Sequence, residues 1–136
     1  MQENDHPSIL SAVAQAWSHA GRTWDADALA GLYAEDACLF GGRSDHAVGR
    51  RAIHDYFRSY RGEILAASLM FRNRRIIDLS EYSFLAQGFA KFSFTLRGDR
   101  QTTVRLRTSW ALVKQEGWKI AMHHVSPIPE EPPLAG

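Results

Sequence analysis

The residues with most chemistry to offer are two adjacent histidines, His123 and His124, near the end of a strand-like run. An imidazole titrates near neutral pH and can act as general base, general acid or hydrogen-bond donor. Side chains alternate between the two faces of a strand. Trp118, Ile120, Met122 and His124 therefore share one face, and its apolar character turns it inward. That makes His124 the candidate catalytic or ligand-binding histidine; the competing reading is a histidine bonded to backbone or packed at the strand end. On the same alternation His123 points outward, towards the surface or a subunit contact. Neighbouring strand side chains diverge, so the pair cannot chelate together, and His46 could join only through the fold; no metal site is expected.

Asn73 and Arg75 interrupt the apolar row Leu69, Phe71, Ile77 and Leu79. If strict alternation holds, both face the interior, where a guanidinium needs a buried acid or an anionic or carbonyl-bearing ligand. The alternative is a bulge near Arg74-Arg75 that turns Arg75 outward. Arg105 and Arg107 oppose Val104, Leu106 and Trp110, which places them on an outer face in a salt-bridge ladder with Lys91 and acidic neighbours at an interface, or else Arg107 at a ligand. Asp45 is the acid in a loop without periodicity (Gly41 to His46). It is either a displaced general base or a solvated loop residue. Among the aromatics, Trp17, Tyr33, Phe40 and Phe57 are candidates to line a cavity, while the rest belong to a core. Cys38 lies among Ala37, Leu39 and Phe40 and reads as a buried, inert thiol.

These groups sit in a chain of ordinary globular composition, 136 residues long, with a formal net charge of +1. A length near the commonest domain size predicts one domain, residues 1–136, with a core at about 8–127. Near-neutral charge with dispersed basic residues gives no reason to expect nucleic acid. One cysteine allows no intrachain disulfide. The polar, acidic start (Met1 to Asp5) is unlike a signal peptide, and no apolar run reaches the ~18 residues of a span. No membrane partner and a cytoplasmic location are expected, and no cofactor.

The elements that must position the candidates follow from periodicity. Ile9, Val13, Ala16, Trp17 and Ala20 predict a helix over about 8–21, with Asp5 or His6 as cap, Pro7 in the first turn and Gly21 as stop. A second helix is predicted from a Thr23 or Asp25 cap to about Asp36, burying Leu29, Leu32 and Tyr33. Ala37 to Phe40 reads as a short strand, and a third helix spans about 49–60. From Glu63 the period changes to two. Leu69 to Leu79, Phe84 to Leu96, Val104 to Leu112 and Trp118 onward predict four hairpin-linked strands, with turns at Gly98-Asp99 and Glu116-Gly117. Helices followed by hairpins is an α+β order. The proline-rich tail, 128–136, cannot continue a sheet.

Trp24-Asp25, Leu32-Tyr33-Ala34-Glu35-Asp36-Ala37 and Val48-Gly49-Arg50 with Ile53 and Tyr56-Phe57 resemble the opening half of SnoaL-like domains in the nuclear transport factor 2-like superfamily. Arg107-Thr108-Ser109-Trp110 and Gly117-Trp118-Lys119 through His123-His124-Val125 resemble its last two strands. They are especially like the branch with SgcJ-like proteins and the calcium/calmodulin-dependent kinase II association domain. The resemblance implies a cone-shaped, cystatin-like α+β fold. In it, three N-terminal helices pack in a curved, mainly antiparallel sheet, with a pocket between them and a homodimer through the outer sheet face. It implies a histidine at position 124, and a pocket arginine from the strand holding Arg107, although the matching place holds Thr108. Where steroid-isomerase relatives place a general-base aspartate and an oxyanion-binding tyrosine, this chain has Gly41 and Trp17. The resulting expectation is a small-molecule-binding domain. The alternatives are a cofactor-free isomerase, cyclase or dehydratase using His124, and an oligomerisation module.

Overall fold

Asp5 opens the first helix: its carboxylate accepts from the Ser8 hydroxyl at 2.9 Å and from the Ser8 amide at 3.4 Å. In this computed structural model, which describes residues 5–132 and 134, α1 spans His6–Gly21 and buries Leu10, Val13, Trp17 and Ala20. Residues 1–4 of the acidic start, and 133, 135 and 136 of the expected tail, lie outside the described residues. No helix among the described residues is long and apolar enough to cross a membrane.

The second helix is much shorter than its periodicity predicts. Asp25 caps it, accepting from Ala28 N–H at 3.1 Å, but α2 ends at Ala30 (Ala26–Ala30) with Gly31 as its C-cap. Tyr33, expected on a helix, instead begins β1 (Tyr33–Phe40), where it pairs with Ile120 in a parallel ladder. Glycine lowers helix propensity by about 1 kcal/mol, and strand pairing claims the buried Tyr33 and Ala34. The loop expected at residues 41–46 ends in a short strand, β2 (His46–Val48), antiparallel to β1. Then come α3 (Arg50–Arg58), β3 (Ile64–Ser80), β4 (Ser83–Leu96), β5 (Arg100–Gln115) and β6 (Gly117–Ser126). The sheet order is β2-β1-β6-β5-β4-β3, antiparallel except for β1 with β6. This is an α+β fold with three helices. The two turns fall as expected, with positive φ at Gly98, Asp99 and Gly117.

Two bulges decide which face each later side chain occupies. In β3, Arg72 pairs with Phe89 and Arg75 with Gln87, so Asn73 and Arg74 together oppose Gly88. Asn73 takes the left-handed conformation, φ +50°, which asparagine tolerates better than most side chains. A Cβ on Gly88 would lie 2.8 Å from Arg74 Cα, so glycine lets the bulge close over β4. Leu69 and Phe71 stay on the concave side. Beyond the bulge the parity reverses: Ile76 packs against the core, while Ile77 and Leu79 are exposed. Strict alternation placed Ile77 and Leu79 inward, and the bulge overturns that.

The second bulge lies in β6. Leu112 pairs with Ile120 and Ala111 with Met122, leaving Ala121 as the extra residue. Ile120 and His123 therefore both face inward, with His123 opposite Trp110. His124, opposite Ser109, faces outward.

Candidate functional site

A cavity of about 600 Å³ lies between the helices and the concave sheet. Its helical wall is Trp17 from α1, Trp24 from the turn after it, and Tyr56 and Phe57 from α3, with Tyr60 just beyond. Its sheet wall includes Leu39, Phe92, Phe94, Leu106 and Val125. The rings meet edge to face, with Trp17 5.9 Å from Phe92 and Trp24 5.7 Å from Phe57. Trp24 Nε1 donates to the Phe57 carbonyl at 2.9 Å, so the helical wall is tied at its centre.

Three polar side chains reach the cavity from the sheet, Arg100 and Thr102 from β5 and His123 from β6. His123 is 4% exposed and belongs to the cavity lining. Its Nδ1 lies 2.8 Å from Tyr33 Oη, and Trp17 Nε1 lies 3.2 Å from the same oxygen. An indole nitrogen only donates, so Tyr33 Oη accepts from Trp17. The phenolic proton is then satisfied by His123 Nδ1 as acceptor. That order leaves the His123 proton on Nε2, which is buried and has no protein partner among the described residues. Burial is the main cause that lowers the His123 pKa to about 3, with the neighbouring His124 adding to it. Burial likewise pushes Tyr33 far above the ordinary phenol range, against the hydrogen bond from Trp17. At neutral pH both groups are uncharged, and the chain runs one way: Trp17 to Tyr33 to His123.

The open end is cationic. Arg43 lies 4.2 Å over the Tyr60 ring, with Nε on Ser59 Oγ at 3.0 Å and Nη2 on the Ser59 carbonyl at 3.1 Å. Arg97 and Arg100 line the opposite side, and Arg97 Nη2 is 3.4 Å from Glu63 Oε1. Gly41 and Gly42 form the lip: the Gly42 amide donates to Tyr56 Oη at 2.8 Å. Burial raises the Tyr56 pKa, partly offset by that amide.

Of the residues singled out from sequence, Trp17 and Phe57 line the cavity, and Tyr33 stands directly behind His123. The others are elsewhere. His124 is exposed on the outer face, because the extra residue Ala121 reverses parity before it. Phe40 is 40% exposed there, stacked on His46 at 4.2 Å and tilted against His124 at 5.3 Å. Asn73, Arg75 and Arg107 line an outer groove with His124. Arg75 is turned out by the β3 bulge, and Arg107 donates to Ser126 Oγ at 3.0 Å. Asp45 is exposed and outside the cavity lining. Sequence reasoning sent His123 outward and did not single out Arg43, Glu63, Arg97 or Arg100. The last two flank a turn that was legible, which was a usable signal; no residue pattern marks the bulge at Ala121.

The architecture is shared with solved structures. A provisionally named calcium/calmodulin-dependent protein kinase II association domain from Xanthomonas campestris superposes with a TM-score of 0.78 at 22% identity, covering 92% of this chain and 86% of that one. A provisionally named scytalone dehydratase from Novosphingobium aromaticivorans gives 0.79 at 16%, covering 90% and 84%. A ketosteroid isomerase-like protein from Erwinia carotovora gives 0.73 at 18%, covering 93% and 98%. At these identities the likeness is one of fold. No curated protein sequence matches the chain. The family model described as the SnoaL-like domain matches residues 10–130, nearly the whole chain, and the chain belongs to that family.

Proposed function

We propose that this chain binds a mid-sized, partly apolar small molecule in the concave cavity and holds its carbonyl or carboxylate oxygen on His123 Nε2–H. The observation that carries this reading is the one-way chain from Trp17 through Tyr33 to His123. It ends in a buried donor without a protein partner, set in an aromatic wall. Leaving such a donor unmade costs about 1–3 kcal/mol, and a ligand oxygen that displaces the side chains now covering Nε2 recovers that cost. A volume of about 600 Å³ suits a molecule of drug size. The three arginines against one carboxylate at the opening favour an anionic or carbonyl-rich ligand over a cationic one.

Thermal-shift screening and titration with aromatic acids and polyketide-like aromatic ketones test the reading. Such compounds should raise the melting temperature, and His123→Phe should weaken the best of them about tenfold or more. The reading fails if no compound stabilises the protein, or if the best binder is indifferent to His123→Phe.

Catalysis without a cofactor is the second reading, supported by the dehydratase- and isomerase-named neighbours. Glu63 supplies the one carboxylate of the cavity lining, and a neutral imidazole N–H polarises a carbonyl. Retention of full turnover by Glu63→Gln, on any substrate found, excludes Glu63 as base. For a partner, we propose a second copy on the outer sheet face. Val48, Ile77 and Leu79 are 54–62% exposed there, and one structural neighbour is named for association. Sedimentation at micromolar concentration should give a dimer.

A further inference from the structure

The outer face of the sheet divides into two halves, and the strand registers define them. One transverse row runs Ile77, Leu85, Ala111, Met122, Cys38 and Val48, and is apolar throughout. The next runs Arg75, Gln87, Ser109, His124, Phe40 and His46. Beyond it come Arg72, Phe89, Arg107 and Ser126, then Met70, Lys91 and Arg105. These last three rows hold five permanent cations and no acid. Lys91 directly opposes Arg105, an arrangement that is unfavourable unless an anion covers it. Arg105 is drawn over the Phe89 ring at 4.0 Å. No ion pair is recorded for Arg72, Arg75, Lys91, Arg105 or Arg107 among the described residues.

Within these rows Arg75, Arg107 and His124 line one groove of about 500 Å³, together with Gln87, Ser109 and Ser126. Gln87 Nε2 donates to Ser109 Oγ and Arg107 Nε to Ser126 Oγ, at 2.9 and 3.0 Å. Those bonds fix the groove floor and leave the remaining guanidinium N–H groups free, a fork suited to carboxylate. Ser126 is also the last residue of β6. The chain leaves the groove there as Pro127-Ile128-Pro129-Glu130-Glu131-Pro132, and both glutamates are exposed. Pro127, Pro129 and Pro132 restrict this segment, which bends at Glu130 and Glu131, so its two exposed acids are presented at little entropic cost.

We infer that the outer groove is a docking site for the acidic tail of a second copy, with Glu130 and Glu131 received by Arg75 and Arg107. This rests on the proposed association of two copies and adds a second, electrostatic contact beside the apolar row. Charge complementarity selects the occupant: Glu130 and Glu131 are adjacent acids, unpaired among the described residues, and rooted beside the groove in each copy.

A charge-swap experiment in the full chain tests it by sedimentation equilibrium. Arg75→Glu with Arg107→Glu in one protein, and Glu130→Lys with Glu131→Lys in another, should each weaken self-association about three- to tenfold. Raising the salt concentration should weaken the unaltered dimer in the same direction. Mixing the two altered proteins should restore the affinity, because every tail then meets an opposite groove. If mixing restores nothing while a chain carrying all four changes regains the original self-association, the tail lies on its own groove and the inference is overturned. A dimer unaffected by either protein would overturn the tail contact while leaving association standing. A monomer throughout would overturn both. Binding of inorganic phosphate at the groove, with tail variants behaving normally, would show a small-anion site and also overturn it.

Discussion

His123 and His124 are one residue apart and occupy opposite environments. His123 stands in an aromatic wall, 4% exposed, neutral, with one nitrogen engaged by a buried phenol. His124 lies in open solvent beside Phe40, in a row that ends on Arg75. The same contrast holds for the two faces of the sheet. The concave face joins aromatic and aliphatic residues into one cluster with the helices, and its polar atoms are few and pre-aimed. The convex face spreads unpaired cations across three strands. A polar group in the first setting is valuable because desolvation makes an unmade bond costly. Cations in the second act through long-range attraction that salt weakens.

The largest expected effect breaks this comparison directly. His123→Asp places a carboxylate where nothing neutralises it and should cost more than about 3 kcal/mol, whereas His124→Asp should stay within about 0.5 kcal/mol of the original. Urea denaturation of the two variants gives both numbers; equal costs would mean that the bulge at Ala121 is misplaced.

Acid titration sharpens the same contrast. The folded pKa of His123, about 3, lies below the ordinary 6.5. The unfolded chain therefore binds the extra proton first. The stability from keeping His123 neutral is complete above about pH 6.5 and is lost as pH falls from there towards 3, with a limiting slope of about 1.4 kcal/mol per unit. Carboxylates also titrate in the lower part of this window, so the readout is the difference between the unaltered chain and His123→Gln. That difference should narrow on acidification, and a constant difference would refute a buried neutral imidazole.

Tyr33→Phe should cost about 1–3 kcal/mol, because it strands the Trp17 N–H and His123 Nδ1 together. Thermal unfolding measures it, and a near-neutral result would mean water serves both atoms.

The smallest effect concerns the other bulge. Asn73→Gly should be within about 0.5 kcal/mol of neutral, and Asn73→Val should cost about 1–2 kcal/mol, since a β-branched residue resists φ near +50°. Equal stability of the two would mean the strand can straighten.

Much of the frame was legible in the sequence. Asp5 and Asp25 cap where their residue type predicts, the hairpins turn at Gly98-Asp99 and Gly117, and β4 and β5 alternate throughout. Period-two reasoning works for as long as each residue has one partner. It fails at Asn73-Arg74 and at Ala121, where two residues share the place of one, because an inserted residue shifts every later side chain without changing composition. Asn73 carried a faint signal, as asparagine is favoured at left-handed positions. Ala121 carried none, since alanine fits either face. The consequence fell on the site: His124 and Ile77 were assigned to the wrong face, Arg75 was left between an inward place and an outward bulge, and His123 was passed over. β1 was misread for another reason: Leu29, Leu32 and Tyr33 keep helical spacing, and only the distant β6 makes the last of them a strand residue.

The glycine lip at residues 41 and 42 sets a limit on what this scaffold can become. A Cβ at Gly41 would overlap Tyr56 Oη, so that hydroxyl already fills the space any side chain there would claim. Isomerase-type relatives place their carboxylate at the matching position. In this chain a carboxylate at 41 and a phenol at 56 are therefore alternative tenants of one volume. Gly41→Asp alone should displace Tyr56 and open the lip, and only a paired exchange that also shortens Tyr56 could seat the acid. The two positions are linked by volume, and any change that seats an acid at one has to alter the other.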